Sequence, residues 1–239
     1  MNSIFKTVSA SIGLTLVFSA SAAPISPTFS TFGPLTGVTF GGTGIPNDPV
    51  AITTLTNTAG QTLTMGLSAT PRFSGVVTNN GMGTYSAAAG VSPNFPSPAD
   101  PYAVWNFNSF VGGNATSSLF FRLFYDFDPA AGNDESTHGT VSFSGASSSL
   151  TQNGSSSNLG FNSLATSGSG FGFTTVAPAG TFNPNAAGQY TFALRAYSDA
   201  NFTNLVASTA IAVNVVPEPG SFALAGLALL GLAAARRRA

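Results

Sequence analysis

Between residues 119 and 127 the chain reads LFFRLFYDF. Leu119, Phe121, Leu123, Tyr125 and Phe127 alternate with Phe120, Arg122, Phe124 and Asp126. A period of two places each set on its own face of a strand. One face is wholly apolar, and the other becomes polar toward Asp128 and Pro129. The pattern predicts a central strand that leaves the core at its acidic end. Shorter alternations recur. Leu63, Met65 and Leu67 are separated by Thr64 and Gly66, and Trp105 and Phe107 alternate with Asn106 and Asn108. After a turn at Ala187-Gly188, Tyr190, Phe192, Leu194 and Ala196 share a face, as do Ile211, Val213 and Val215 further on. The polar link Ser198 to Asn204 makes these last two runs an antiparallel hairpin. No stretch between Ala23 and Val216 sustains a 3.6-residue period. The expected fold is all-β, an antiparallel β-sandwich.

Two looser segments interrupt the pattern. GVSPNFPSPADPY holds four prolines and reads as an extended surface connection. SGASSSLTQNGSSSNLGFNSLATSGSGFGF reads either as a long loop or as weak strands on a polar face. The sequence Gly188-x-Tyr190-x-Phe192-x-Leu194 resembles the penultimate strand of immunoglobulin-like and fibronectin-like sandwiches. That resemblance implies a tyrosine hydroxyl tying the strand to the preceding corner.

The ends differ from the middle. Lys6 precedes an apolar stretch from about Val8 to Phe18, followed by Ala20-Ser21-Ala22. This is too short for a membrane span, which needs about 20 residues. It has the form of a signal peptide over residues 1–22, cut before Ala23, with Ala20 and Ala22 as the small-residue site. At the other end, Gly220 to Ala235 is apolar and Arg236, Arg237 and Arg238 follow. As a helix those 16 residues span about 24 Å, short of a hydrocarbon core of about 30 Å. The arginines can snorkel and fix a cytoplasmic end. The expected organisation is a β-domain over 23–214 and a C-terminal sorting segment over 215–239.

Charge narrows the function. From Ala23 to Val216 there are three arginines (Arg72, Arg122, Arg195) against seven acids, a net charge of −4. Scattered arginines cannot displace counterions as a nucleic-acid surface must, so no nucleic-acid partner is expected. With no cysteine, disulfides and thiolate chemistry are excluded. With 21 Phe a folded core is favoured over disorder.

The densest local chemistry is DFDPAAGNDESTHG, which gathers Asp126, Asp128, Asp134, Glu135 and the sole histidine, His138. Read functionally it is a calcium or glycan-contacting loop, since calcium takes six to eight hard oxygens. The spacing does not fit an EF-hand. Read plainly it is a solvated loop ending a hydrophobic strand. Paired carboxylates can in principle hydrolyse glycosides, and on an extended strand Asp126 and Asp128 would lie on one face, about 7 Å apart. No G-x-S-x-G elbow, P-loop or H-E-x-x-H occurs, and an enzyme is not expected. No cofactor is expected apart from possible calcium. Trp105 and the exposed-looking Tyr85, Tyr102 and Tyr197 are candidate sugar platforms, although Trp105 reads better as core.

Val216-Pro217-Glu218-Pro219-Gly220, then the apolar run, then Arg236-Arg237-Arg238 closely resembles the PEP-CTERM sorting signal of Gram-negative bacteria. The resemblance covers about 24 residues. It implies export by signal peptidase and the export machinery, transient retention in the inner membrane with the domain outside, and processing near Pro217-Glu218-Pro219 by exosortase. The expected function is that of an exported cell-surface or extracellular-matrix structural protein associated with exopolysaccharide. The alternative is a glycan- or calcium-binding surface module.

Overall fold

The apolar faces expected from alternation meet in the interior. The computed structural model describes residues 23–41, 44–73, 75–93, 101–146 and 154–217. The signal segment with Ala20 and Ala22, and Glu218, Pro219, Gly220, Arg236, Arg237 and Arg238, lie outside the described residues. The described residues form two sheets. The first has the order β1 (Thr31–Gly33), β2 (Val50–Thr56), β3 (Thr62–Pro71), β6 (Trp105–Gly112) and β9 (Gly154–Ser157). The second has the order β10 (Gly168–Gly170), β11 (Phe173–Val176), β8 (Gly139–Ser144), β7 (Phe120–Tyr125), β12 (Gly188–Tyr197), β13 (Leu205–Val216), β5 (Thr84–Ala88) and β4 (Thr78–Asn79). Every pairing is antiparallel except β13 with β5.

One apolar cluster joins the sheets. Leu63, Met65 and Leu67 of β3 and Trp105 and Phe107 of β6 share it with Phe121 and Leu123 of β7 and Tyr190, Phe192 and Leu194 of β12. Phe107 stacks on Phe192 with ring centroids 4.6 Å apart. Buried apolar surface contributes about 25 cal/mol per Å2, and such aromatic pairs add to it. Among the described residues no helix is long and apolar enough to cross a membrane. The single α-helix among them, α1, has four residues, Asn162–Ala165.

The hairpin holds as expected. β12 and β13 pair along their length, and the link is Ser198 to Asn204. β7 lies between β8 and β12, a central position. It stops at Tyr125 rather than continuing to Phe127, because Asp126 Oδ1 accepts the amide of Asp128 at 2.8 Å and turns the chain. The Ser-rich segment supplies β9, β10 and the first residue of β11 as weak strands.

Both outer sheet faces are partly covered. The segment between β1 and β2 brings Leu35 and Phe40 over Val50, Ile52 and Phe110. The N-terminal segment crosses the eight-stranded sheet. Thr28 and Ala210 exchange backbone hydrogen bonds of 3.0 and 2.7 Å, and Ile25 packs on Phe124, Ala193 and Ala210. Asn106 and Asn108, on the polar side of their alternation, are also buried. Asn108 Nδ2 donates to Ser68 Oγ and Thr70 Oγ1, and Asn158 Nδ2 donates to Asn106 Oδ1. Buried amides demand such partners.

Candidate functional site

Four places could carry function: the end of β13, the acidic loop, the aromatic candidates and an open stretch of sheet.

The β-domain does not stop at residue 214. β13 continues through Val216, Val215 is buried, and the carbonyl of Val216 accepts the amide of Ala89 at 2.8 Å. Val216 also pairs with Ala88 of β5. Pro217 follows at once and is exposed. A proline cannot donate to a ladder, so the strand ends there. At the other end Ala23 is exposed, while Ile25, two residues on, is buried.

The acidic loop is exposed at Asp128, Gly132 and Ser136, but its two ends are buried. Asp126 is only 2% exposed and His138 6%. Asp126 Oδ2 accepts from Asn133 Nδ2 at 2.8 Å, and His138 Nε2 lies 3.7 Å from the same oxygen. His138 Nδ1 faces the carbonyl of Asp134 at 3.2 Å, so Nδ1 carries the hydrogen. In the neutral ring Nε2 then accepts from the Thr191 hydroxyl, 2.7 Å away on β12. Burial pushes the Asp126 carboxyl above the usual carboxylate range, opposed by its hydrogen bonds to Asp128 and Asn133 and by His138. Asp134 Oδ1 accepts the Ser136 amide and caps the short turn Glu135–Thr137. Glu135 is paired bidentately with Arg195, with Nη1 to Oε1 at 2.9 Å. Asp126 is buried while Asp128 is exposed, so the two do not stand side by side on a strand face. Among the described residues no group of three or more His, Asp or Glu converges on a point that could hold a metal ion.

The aromatic candidates separate. Trp105 is 2% exposed, between Tyr190 at 5.8 Å and Phe192 at 6.2 Å. Tyr85 and Tyr197, expected at the surface, are buried. Tyr85 points inward because its hydroxyl donates to the carbonyl of Pro49 at 2.8 Å. Tyr197 packs edge-on against Phe202. Tyr102 is half-buried, and its ring lies 4.7 Å from the Arg72 guanidinium.

The place that pattern reading misses is the outer face of β7, β8, β10 and β11, beyond the reach of the N-terminal segment. A trough of about 550 Å3 is lined there by Phe120, Arg122, Phe173 and Phe202 and by the hydroxyls of Thr140, Ser142, Ser144, Ser169 and Thr174. The register explains it. Ser169, Thr174, Ser142, Arg122, Arg195 and Ser208 pair in succession across six strands, one polar rung over the sheet. Arg122 Nε donates to Ser142 Oγ at 3.0 Å, and its guanidinium lies 3.9 Å from the centroid of Phe202. Among the described residues no carboxylate pairs with Arg122, whereas Arg195 has Glu135.

The β12–β13 link presents Phe202. Asp199 accepts the amides of Asn201, Thr203 and Asn204, and these bonds, led by that of Asn204, hold its carboxyl below the usual range. Phe202 is left at φ 57°, a left-handed conformation uncommon for a bulky side chain. Phe171 takes φ 51° in the β10–β11 turn, is 91% exposed, and sits between the trough-lining Gly170 and Gly172. Two signals in the sequence could have pointed here: Arg122 inside an apolar run, and Asp199 at the second position of a seven-residue link.

No curated protein and no solved structure matches the chain. Its C-terminal segment does match a known family. Beginning at the last two residues of β13, residues 215–238 match the PEP-CTERM protein-sorting motif, and the chain is a PEP-CTERM-containing protein.

Proposed function

We propose that this is an exported, non-enzymatic protein of the cell surface or extracellular matrix, processed by exosortase and associated with exopolysaccharide. The PEP-CTERM motif carries this reading, because it implies exosortase as processing partner and an exported, membrane-anchored precursor. In this reading signal peptidase cuts before Ala23. Residues 220–235 hold the precursor in the inner membrane, with Arg236, Arg237 and Arg238 on the cytoplasmic side. The proposed fold is a β-sandwich with an immunoglobulin- or fibronectin-like final hairpin. Tyr190 supports it: near the start of β12, its hydroxyl donates to the carbonyl of Ala186 at 3.3 Å.

The β13 geometry supports processing beyond the domain. A protease needs extended, accessible backbone, and Val216 is still paired on the sheet. Pro217 is the first residue free of the ladder. Mass spectrometry of the surface-released protein tests the proposal. The expected form begins at Ala23 and ends at or just after Pro217, and it is absent when exosortase is deleted. A surface form still ending at Ala239 would overturn the processing reading.

A further inference from the structure

We propose that the trough on the outer face of the eight-stranded sheet binds a carboxylate-bearing polysaccharide, with Arg122 taking the carboxylate and Phe202 holding the guanidinium in place. The inference rests on the exported, surface reading in one respect only, that such a polymer is met outside the cell.

Three observations lead to this occupant. The first is charge. Arg122 is one of three arginines between Ala23 and Val216, and among the described residues it has no carboxylate partner. Among the described residues only its Nε is engaged, by Ser142, and the ring of Phe202 covers one face. The two terminal amino groups form the fork that meets a carboxylate bidentately. Arg195 on the next strand shows what the site lacks, since Glu135 already fills that fork.

The second is the lining. β7 and β8 are paired on both sides, so their backbone groups are committed to ladders. Over β7 and β8 a ligand lying on this face is read by side chains. Those side chains are the five hydroxyls of Thr140, Ser142, Ser144, Ser169 and Thr174, together with aromatic rings. Hydroxyl rows suit a polyol, and apolar rings suit the C–H faces of sugar rings. A peptide would seek an open strand edge instead.

The third is shape. The volume of about 550 Å3 falls within the range of small-ligand sites. The trough is open along the sheet, as a polymer requires. Phe171 stands between Gly170 and Gly172 of its lining, held outward against its backbone preference. Backbone strain of this kind collects at ligand clamps.

The test is calorimetric titration of the full-length protein in detergent with oligogalacturonate, using cello- and malto-oligosaccharides as neutral probes. Arg122→Gln and Thr174→Glu are the variants. Thr174 is exposed and pairs opposite Ser142, so glutamate there places a like charge in the trough without touching the core. The expected result is saturable oligogalacturonate binding that weakens with salt and falls by about tenfold or more in both variants. Thermal melting confirms folding, and Thr174→Glu keeps the test decisive if Arg122→Gln is unstable. Absence of binding, equal binding of neutral oligosaccharides, or unchanged affinity in Thr174→Glu would overturn the proposal. A chain that is processed to the surface but binds no uronate refutes the trough alone. One that binds uronate but keeps Ala239 at the surface refutes the processing alone.

Discussion

Arg122 and Arg195 stand directly opposite each other on neighbouring strands, and among the described residues a single carboxylate, Glu135, neutralises only one of them. Like charges at paired positions repel by roughly 0.2–1 kcal/mol. Each guanidinium also lies over a phenylalanine, Arg122 over Phe202 and Arg195 over Phe124, at 3.9 and 4.7 Å. The rings and Glu135 make the close approach tolerable.

Glu135→Gln leaves two unpaired guanidinium groups on one rung. The pair is partly exposed, with side-chain exposures of 21% and 24%, so solvent screens it. The expected loss of stability is about 1–2 kcal/mol, read as a lower midpoint in urea denaturation. Replacing Arg195 with methionine in the same chain restores part of it. An unchanged midpoint in Glu135→Gln would mean that the ion pair contributes nothing.

The pH dependence is set in part by Asp126. Its carboxyl is held above the usual range by burial, so in the window between its unfolded and folded values the native state binds more protons. Its contribution to stability is therefore greatest at low pH and declines as pH rises through the folded value. Asp126→Asn removes this titration. The melting temperature of the native chain relative to Asp126→Asn is expected to rise as pH falls from 7 toward 4. A relative melting temperature that stays constant, or falls, as the pH is lowered would contradict the burial argument.

Gly188 opens β12 at φ 152°, where a Cβ would collide with the carbonyl oxygen of Pro129. That carbonyl also accepts the Gln189 amide at 2.9 Å, so it cannot move freely. Gly188→Ala is expected to destabilise by about 2–3 kcal/mol or more, from strain and overpacking together. Chemical denaturation measures it directly.

Trp105 serves as a reporter of the core. Enclosed by Tyr190 and Phe192, it is expected to resist acrylamide quenching and to keep its emission unchanged on addition of any oligosaccharide. Trp105→Ala should cost about 3–5 kcal/mol. Strong quenching in the native protein would show that the ring is reachable and would revive it as a sugar platform.

Much of the fold was written in local patterns. Period-two alternation identified β3, β6, β7, β12 and β13, and the Ser198–Asn204 link was legible because polar residues separate two apolar runs. The C-terminal motif was legible as well, because Pro217, the apolar run and the arginines are contiguous in sequence. Such features need only neighbours along the chain, and the sequence determines them by itself. Tertiary structure decided what lies above each sheet face. Ile25 covers Phe124, and Leu35 and Phe40 lie over Val50 and Phe110, so residues on the nominally polar side of a strand become buried. The same coverage stops short of Arg122 and leaves the trough open. Burial also turned Asp126 and His138 from a charged loop into a hydrogen-bonded anchor on Thr191, 53 residues away in sequence. A period of two states which residues share a face. It cannot state which segment, distant in sequence, will cover that face, because that choice is made by packing.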